Sequence, residues 1–107
     1  MYHNDGNDID SVFQRLDIMD CLHKLPQQLS SGQYKRVLLA GGILSGASFL
    51  LLDEPTSNLD QKSSDIIIDV LQELIYSKNI GCLVATHDPN IISIADDEIH
   101  LGESLSH

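Results

Sequence analysis

The 107-residue sequence predicts an α/β fold, a mainly parallel sheet with flanking helices. Three observations carry that prediction. The apolar runs at 49–52 and 82–85 are too short for helices and lack the alternation of a half-exposed strand, which is how parallel strands covered on both faces read. Between them Ile67, Val70, Leu71, Leu74 and Ile75 recur at helical spacing and form one apolar stripe. From Ser30 onward, helix-like and strand-like segments alternate, as strand–helix–strand units require.

Composition sets the outer limits. With 42% hydrophobic and 21% charged residues the chain has material for a core. Its net charge of -10, from 16 acidic against 6 basic side chains with no basic cluster, repels phosphate backbones and argues against nucleic acid as a direct partner. Cys21 and Cys82 have neither CxxC nor metal-ligand spacing, so they read as reduced, structural cysteines of a cytosolic protein. The first ten residues lack a basic and an apolar signal region, and no apolar run approaches the length of a bilayer span. Any connection to a membrane is expected through a partner.

In chain order, residues 1–8 are polar and rich in Gly, Asn and Asp, with Asp8 or Asp10 able to cap a helix. Val12, Phe13, Leu16 and Met19 predict that helix as far as about Cys21, before Leu25-Pro26 stops it. A second helix is expected from Ser30 or Ser31 to about Leu44, carrying Val37, Leu38, Ala40 and Ile43, with Gly41, Gly42 and Gly46 weakening its end. After the strand at 49–52, Asp60 is placed to cap the striped helix. A turn at 77–81 leads into the strand at 82–85. Asp88-Pro89 opens a short helix reaching about Ala95, and 98–101 is expected as a third strand.

The first strand delivers two adjacent carboxylates, Asp53 and Glu54, to its C-terminal end, where open α/β sheets bind ligands. Ionised acids at the edge of a core need a cation, a donor or water; alone, they also read as acids capping the turn before Pro55. The segment LSSGQ at 29–33 sets Ser30, Ser31, Gly32 and Gln33 at a helix start, where exposed N–H groups and the helix dipole suit an anion. In isolation those residues read first as an ordinary serine N-cap. His87 ends the second strand, where an imidazole either meets a phosphate or faces solvent. Ser57, Asn58, Leu59 and Asp60 link the acidic pair to the next helix. His3, His23, His100 and His107 have no comparable setting.

Taken in order, LSSGQ, FLLLDEPTSNLD and VATHD resemble the second half of the nucleotide-binding domain of an ATP-binding cassette (ABC) transporter. The resemblance runs from about Ile9 to Leu101. It implies a partial P-loop NTPase fold, with about 9–47 as part of the helical signature subdomain and about 48–101 as the Walker B, D-loop and histidine part of the catalytic core. It also implies roles. Asp53 would hold Mg²⁺ through water, while Glu54 acts as general base and His87 as the switch histidine, both counted as catalytic. Ser30, Ser31, Gly32 and Gln33 would form the signature that touches ATP held by an opposing subunit, Ser31 standing where glycine is usual. Ser57, Asn58, Leu59 and Asp60 would form the D-loop, with Asn58 in place of alanine. ATP and Mg²⁺ are the implied cofactors. The segment HDPNIISIADDEIHL is most similar to cassettes serving lipoprotein, macrolide and peptide exporters.

No GxxxxGK[ST] phosphate loop occurs, since none of Lys24, Lys35, Lys62 or Lys78 follows a glycine. The expected function is thus ATP binding and hydrolysis for transport by a truncated or fragmentary cassette, inactive without its missing half. Two alternatives are a nonenzymatic module lending its signature face to another cassette, and half of a split ATPase of DNA repair or chromosome maintenance. The acidic balance and the DEPT and THDP strings favour the transporter. The implied partners are a cassette subunit or fragment with a Walker A motif and a transmembrane transporter subunit, which would hold the chain on the cytoplasmic face of the membrane. In the family the phosphate-loop strand lies between those at 82–85 and 98–101. The strands at 49–52 and 82–85 are therefore expected as a parallel pair, with 98–101 displaced and exposed apolar faces that drive homo-oligomerisation or aggregation.

Overall fold

The computed structural model describes residues 9–77 and 79–99. Its first helix, α1 (Ile9–Arg15), is shorter than the apolar spacing predicts. Asp17 adopts a φ of 56°, a left-handed conformation that ends a helix, and Met19–Cys21 follows as a 3₁₀ turn. The reversal buries Leu16, Ile18 and Cys21 together and leaves Met19 exposed. Helical spacing was preserved by residues that reach the core along a bent path.

A second 3₁₀ turn, Pro26–Gln28, leads to α2 (Ser31–Leu44). Its start is closed by a reciprocal pair of bonds: the Gln33 amide donates to Ser30 Oγ (3.1 Å) and the Ser30 amide to Gln33 Oε1 (3.0 Å). The helix buries Gly32, Arg36, Leu39, Ala40 and Ile43 and leaves Leu38 exposed. Gly42 serves packing. A Cβ there would lie 2.9 Å from Leu50 Cδ2, so the bare glycine lets α2 close on the strand that follows with Leu50 in its present rotamer.

Strands β1 (Phe49–Asp53) and β2 (Gly81–Ala85) pair in parallel, in register from Phe49 opposite Gly81 to Asp53 opposite Ala85. The crossover is α3 (Gln61–Ser77), which buries Ser63, Ile67, Val70 and Leu71. The last helix, α4 (Pro89–Ile92), stops short of Ala95. Asp88 caps it through a 2.9 Å bond from the Asn90 amide to Oδ1, with Pro89 at its first position. The strand expected at 98–101 is not formed by Glu98 and Ile99; its other two residues lie outside the described ones.

One core gathers Val12, Leu16, Ile18, Leu39, Ile43, Leu50, Ile67, Val70, Leu71, Ile80 and Ile91. The expectation of strands covered on both faces is corrected on one of them. Leu50 is buried and Leu52, Cys82 and Val84 pack partly against the helices, whereas Phe49, Leu51 and Leu83 are 58%, 73% and 51% exposed. Successive side chains of a strand point to opposite faces, and the described residues supply a helical layer to only one. Cys21 and Cys82 are free, and burial pushes the Cys82 thiol up, which keeps it unreactive. No helix among the described residues is long and apolar enough to cross a membrane.

Candidate functional site

Parallel pairing with Asp53 opposite Ala85 brings the C-terminal ends of β1 and β2, and the loops leaving them, to one edge. Three of the residues singled out in the sequence meet there. Asp53 is the exposed last residue of β1. Glu54 follows, its amide donating to the Ala85 carbonyl at 2.7 Å, which in effect prolongs the sheet by one bond. His87 is solvent-exposed, and its Nε2 lies 3.9 Å from Glu54 Oε2. That separation is too long for a direct hydrogen bond and short enough for both groups to contact one ligand oxygen.

The loop after β1 is tightly bound. Glu54 has a φ of 48° and Asn58 of 60°, both left-handed; asparagine tolerates that region far better than glutamate. The Ser57 amide and hydroxyl both donate to the Glu54 carbonyl, at 3.2 and 3.1 Å. Thr56 Oγ1, on a buried residue, donates to Asp88 Oδ2 at 2.6 Å and so fastens this loop to the one carrying His87. Because the other oxygen of Asp88 caps α4, one carboxylate holds the histidine loop from both sides.

Ser30, Ser31, Gly32 and Gln33 sit at the N-terminus of α2, but their surroundings differ. The Ser30 and Gln33 side chains are engaged with each other's amides, and Ser31 is exposed. Gly32 is buried against the start of α3: a Cβ there would meet Ser63 Oγ at 2.3 Å, Ser63 Cβ at 2.8 Å and Asp60 Oδ1 at 3.4 Å. Of the four loop residues, Leu59 packs on the core, Asn58 is exposed, and Ser57 is bonded as described. Asp60 caps α3, Oδ2 accepting the Ser63 amide at 3.2 Å. The Ser63 hydroxyl, then its amide, hold the Asp60 carboxyl below the ordinary value, with a smaller contribution from the Arg36 charge.

Sequence reasoning missed two residues. Lys35 Nζ donates to the Glu54 carbonyl (2.7 Å), the Ser57 carbonyl (3.1 Å) and Ser57 Oγ (3.0 Å). Arg36, only 7% exposed, donates to the carbonyls of Gly32 (3.2 Å), Leu16 (3.0 Å) and Asp17 (2.9 Å). The available signal was a pair of adjacent cations directly after a small-residue turn in a chain with only 6 basic residues. Both cations are engaged chiefly with backbone carbonyls, so neither pairs with the Asp53 or Glu54 carboxylate at the edge.

Among the described residues no group of three or more His, Cys, Asp and Glu could hold a metal unaided. The exposed Asp53 carboxylate at the end of β1 is the residue that could hold Mg²⁺, which keeps several waters and takes one or two carboxylates together with ligand phosphates. The fit to ATP is partial. The edge offers carboxylates and an imidazole, while Lys35 and Arg36 are engaged elsewhere.

Comparison with known proteins agrees with this geometry. The family model described as ABC transporter matches residues 3–57. The chain is 34% identical over 82 residues to the lipoprotein-releasing system ATP-binding protein LolD of Buchnera aphidicola, covering 77% of this chain and 36% of that protein. It is 40% identical over 89 residues to the glucose import ATP-binding protein GlcV of Saccharolobus solfataricus, covering 82% of this chain and 25% of that one. The solved dimeric post-hydrolysis state of the ATP-binding cassette MJ0796, bound to ADP and Pi, matches with a TM-score of 0.68 and 28% identity over 79% of this chain and 37% of its own. The chain thus spans well under half the length of the curated relatives it matches, from 14% to 41%. A family match over more than half its length, joined to a cassette fold over the greater part of it, makes the assignment: the chain belongs to the ABC transporter family, within the ATP-binding domain.

Proposed function

We propose that this chain supplies the signature helix, Walker B strand, D-loop and switch histidine of an ATP-binding cassette, and takes part in transport-coupled ATP hydrolysis only with a segment that supplies the phosphate loop. The observation that supports it most is the approach of His87 to Glu54 at 3.9 Å, across the end of a parallel pair. Glu54 acts as general base toward the attacking water, and His87 contacts the same oxygen region. Asp53 holds Mg²⁺ through water; the metal, when bound, offsets the charge of the phosphates. Ser30, Ser31, Gly32 and Gln33 form the signature turn presented to the nucleotide of an opposing cassette, toward which Ser57, Asn58, Leu59 and Asp60 cross. In this reading 9–47 is the signature region and 48–101 the catalytic part. A transmembrane subunit holds the assembly at the cytoplasmic face of the membrane.

Phosphoryl transfer rests on positioning and charge neutralisation, so the chain alone should not turn over ATP. The test mixes purified chain with a cassette segment bearing the phosphate loop and measures Mg²⁺-dependent hydrolysis. Turnover is expected in the mixture only, and Glu54→Gln in this chain should abolish it. Turnover by the chain alone, or a mixture indifferent to Glu54→Gln, refutes the proposal. If instead the chain rescues an intact cassette with a damaged signature, and Glu54→Gln leaves that rescue unchanged, its role is that of a signature donor.

A further inference from the structure

We propose that Lys35 is a positioning residue: from the signature helix α2 it clamps the left-handed turn at Glu54 and so sets where the Glu54 carboxylate points. The inference deepens the proposed function, because the consequence for Glu54 rests on that residue acting as the base.

Glu54 occupies a backbone region that a glutamate enters only when its surroundings hold it there, with a φ of 48°. Both of its peptide groups are fastened. The amide is bonded to the Ala85 carbonyl at 2.7 Å, on the β2 side. The carbonyl receives Lys35 Nζ, also at 2.7 Å, on the α2 side. The same ammonium reaches the carbonyl and hydroxyl of Ser57, so the turn is gripped at both ends. An ammonium has three N–H donors on one atom, and here three oxygen acceptors converge on it. A guanidinium, whose donors lie in a planar fork, matches that arrangement poorly.

The clamp has a firm base. One residue on, Arg36 bonds α2 to the Leu16 and Asp17 carbonyls at the end of α1, and the Ser30–Gln33 pair closes the first turn. Lys35 therefore projects from a fixed helix onto a strained turn. A displacement of the start of α2 pulls directly on the Glu54 carbonyl. The chemistry thus makes the signature helix and the general base of one chain mechanically continuous, whatever the opposing cassette contributes.

Two measurements test this with the Lys35→Met and Lys35→Arg variants of the full chain. The first is amide hydrogen exchange without nucleotide. Loss of a charged donor to the turn should speed exchange at the Ser57 amide about tenfold in Lys35→Met, with less change in Lys35→Arg. Exchange at Ile67, Val70 and Leu71 should be unaltered. An unchanged Ser57 amide, or equal acceleration in α3, overturns the clamp. The second is hydrolysis by the chain complemented with a phosphate-loop segment, where Lys35→Met should lower kcat about tenfold at constant KM. A loosened turn with kcat intact overturns the positioning of Glu54. A wild-type mixture that hydrolyses nothing sinks the proposed function, while the exchange result still decides the clamp.

Discussion

Gly32→Ala sets two effects against each other at the start of α2. Alanine is the better helix former by about 1 kcal/mol, so propensity alone predicts stabilisation. Packing predicts the reverse. The new Cβ would lie 2.3 Å from Ser63 Oγ and 2.8 Å from Ser63 Cβ, both well inside ordinary contact. The hydroxyl can rotate away. The Ser63 Cβ cannot, because it is fixed to the first turn of α3 and the residue is 2% exposed. The helices must therefore separate by roughly half an ångström, and overpacking of this kind costs about 1–3 kcal/mol. Gly32 sits in the first turn, where the propensity gain is smallest, so the net expectation is about 1–2 kcal/mol of destabilisation. Urea unfolding followed by circular dichroism should show the midpoint falling by about 1 M at unchanged slope. Ser63→Gly in the same chain should recover much of the loss, giving a coupling free energy of the sign that marks a relieved clash. A midpoint that rises on Gly32→Ala would show that the helices part freely and that the packing account of this glycine is wrong.

Three further outcomes are expected. Asp60 is held below its ordinary value of 3.8 by Ser63, so its contribution is fully present above that value and disappears as pH falls through the lower folded value; Asp60→Asn should flatten that acid limb in a urea-midpoint series, and an unchanged limb would refute the assignment. Arg36→Met leaves the Leu16 and Asp17 carbonyls without their donor and should cost about 2–3 kcal/mol by urea unfolding, a loss under about 0.5 kcal/mol counting against a buried clamp. Phe49, Leu51 and Leu83 form an exposed apolar sheet face, so light scattering should find the isolated chain self-associated and the double variant Leu51→Lys, Leu83→Lys largely dispersed; association unchanged in the double variant would place the contact elsewhere.

The amino-acid sequence by itself determined the elements and their order. The α3 stripe, the Asp60 and Asp88 caps, the Pro89 start and the two apolar runs are local signals, written by neighbours a few residues apart, and each led to a correctly typed element. The motif order likewise pointed to the cassette family before any contact was known. Where the sequence misled, the cause was a long-range term. The spacing Val12, Leu16, Met19 continued past a chain reversal because Leu16 and Ile18 reach the core through the Asp17 turn. Apolar runs at 49–52 and 82–85 record that both strand faces favour cover, not whether the described residues provide it. Only the tertiary structure decided that Lys35 and Arg36 hold carbonyls rather than solvent or phosphate, that Gly32 is a packing glycine, and that His87 stands beside Glu54. Those facts depend on the register of β1 against β2 and on how closely α2 settles on α3, both fixed by packing between segments whose separation along the chain carries no periodic signal.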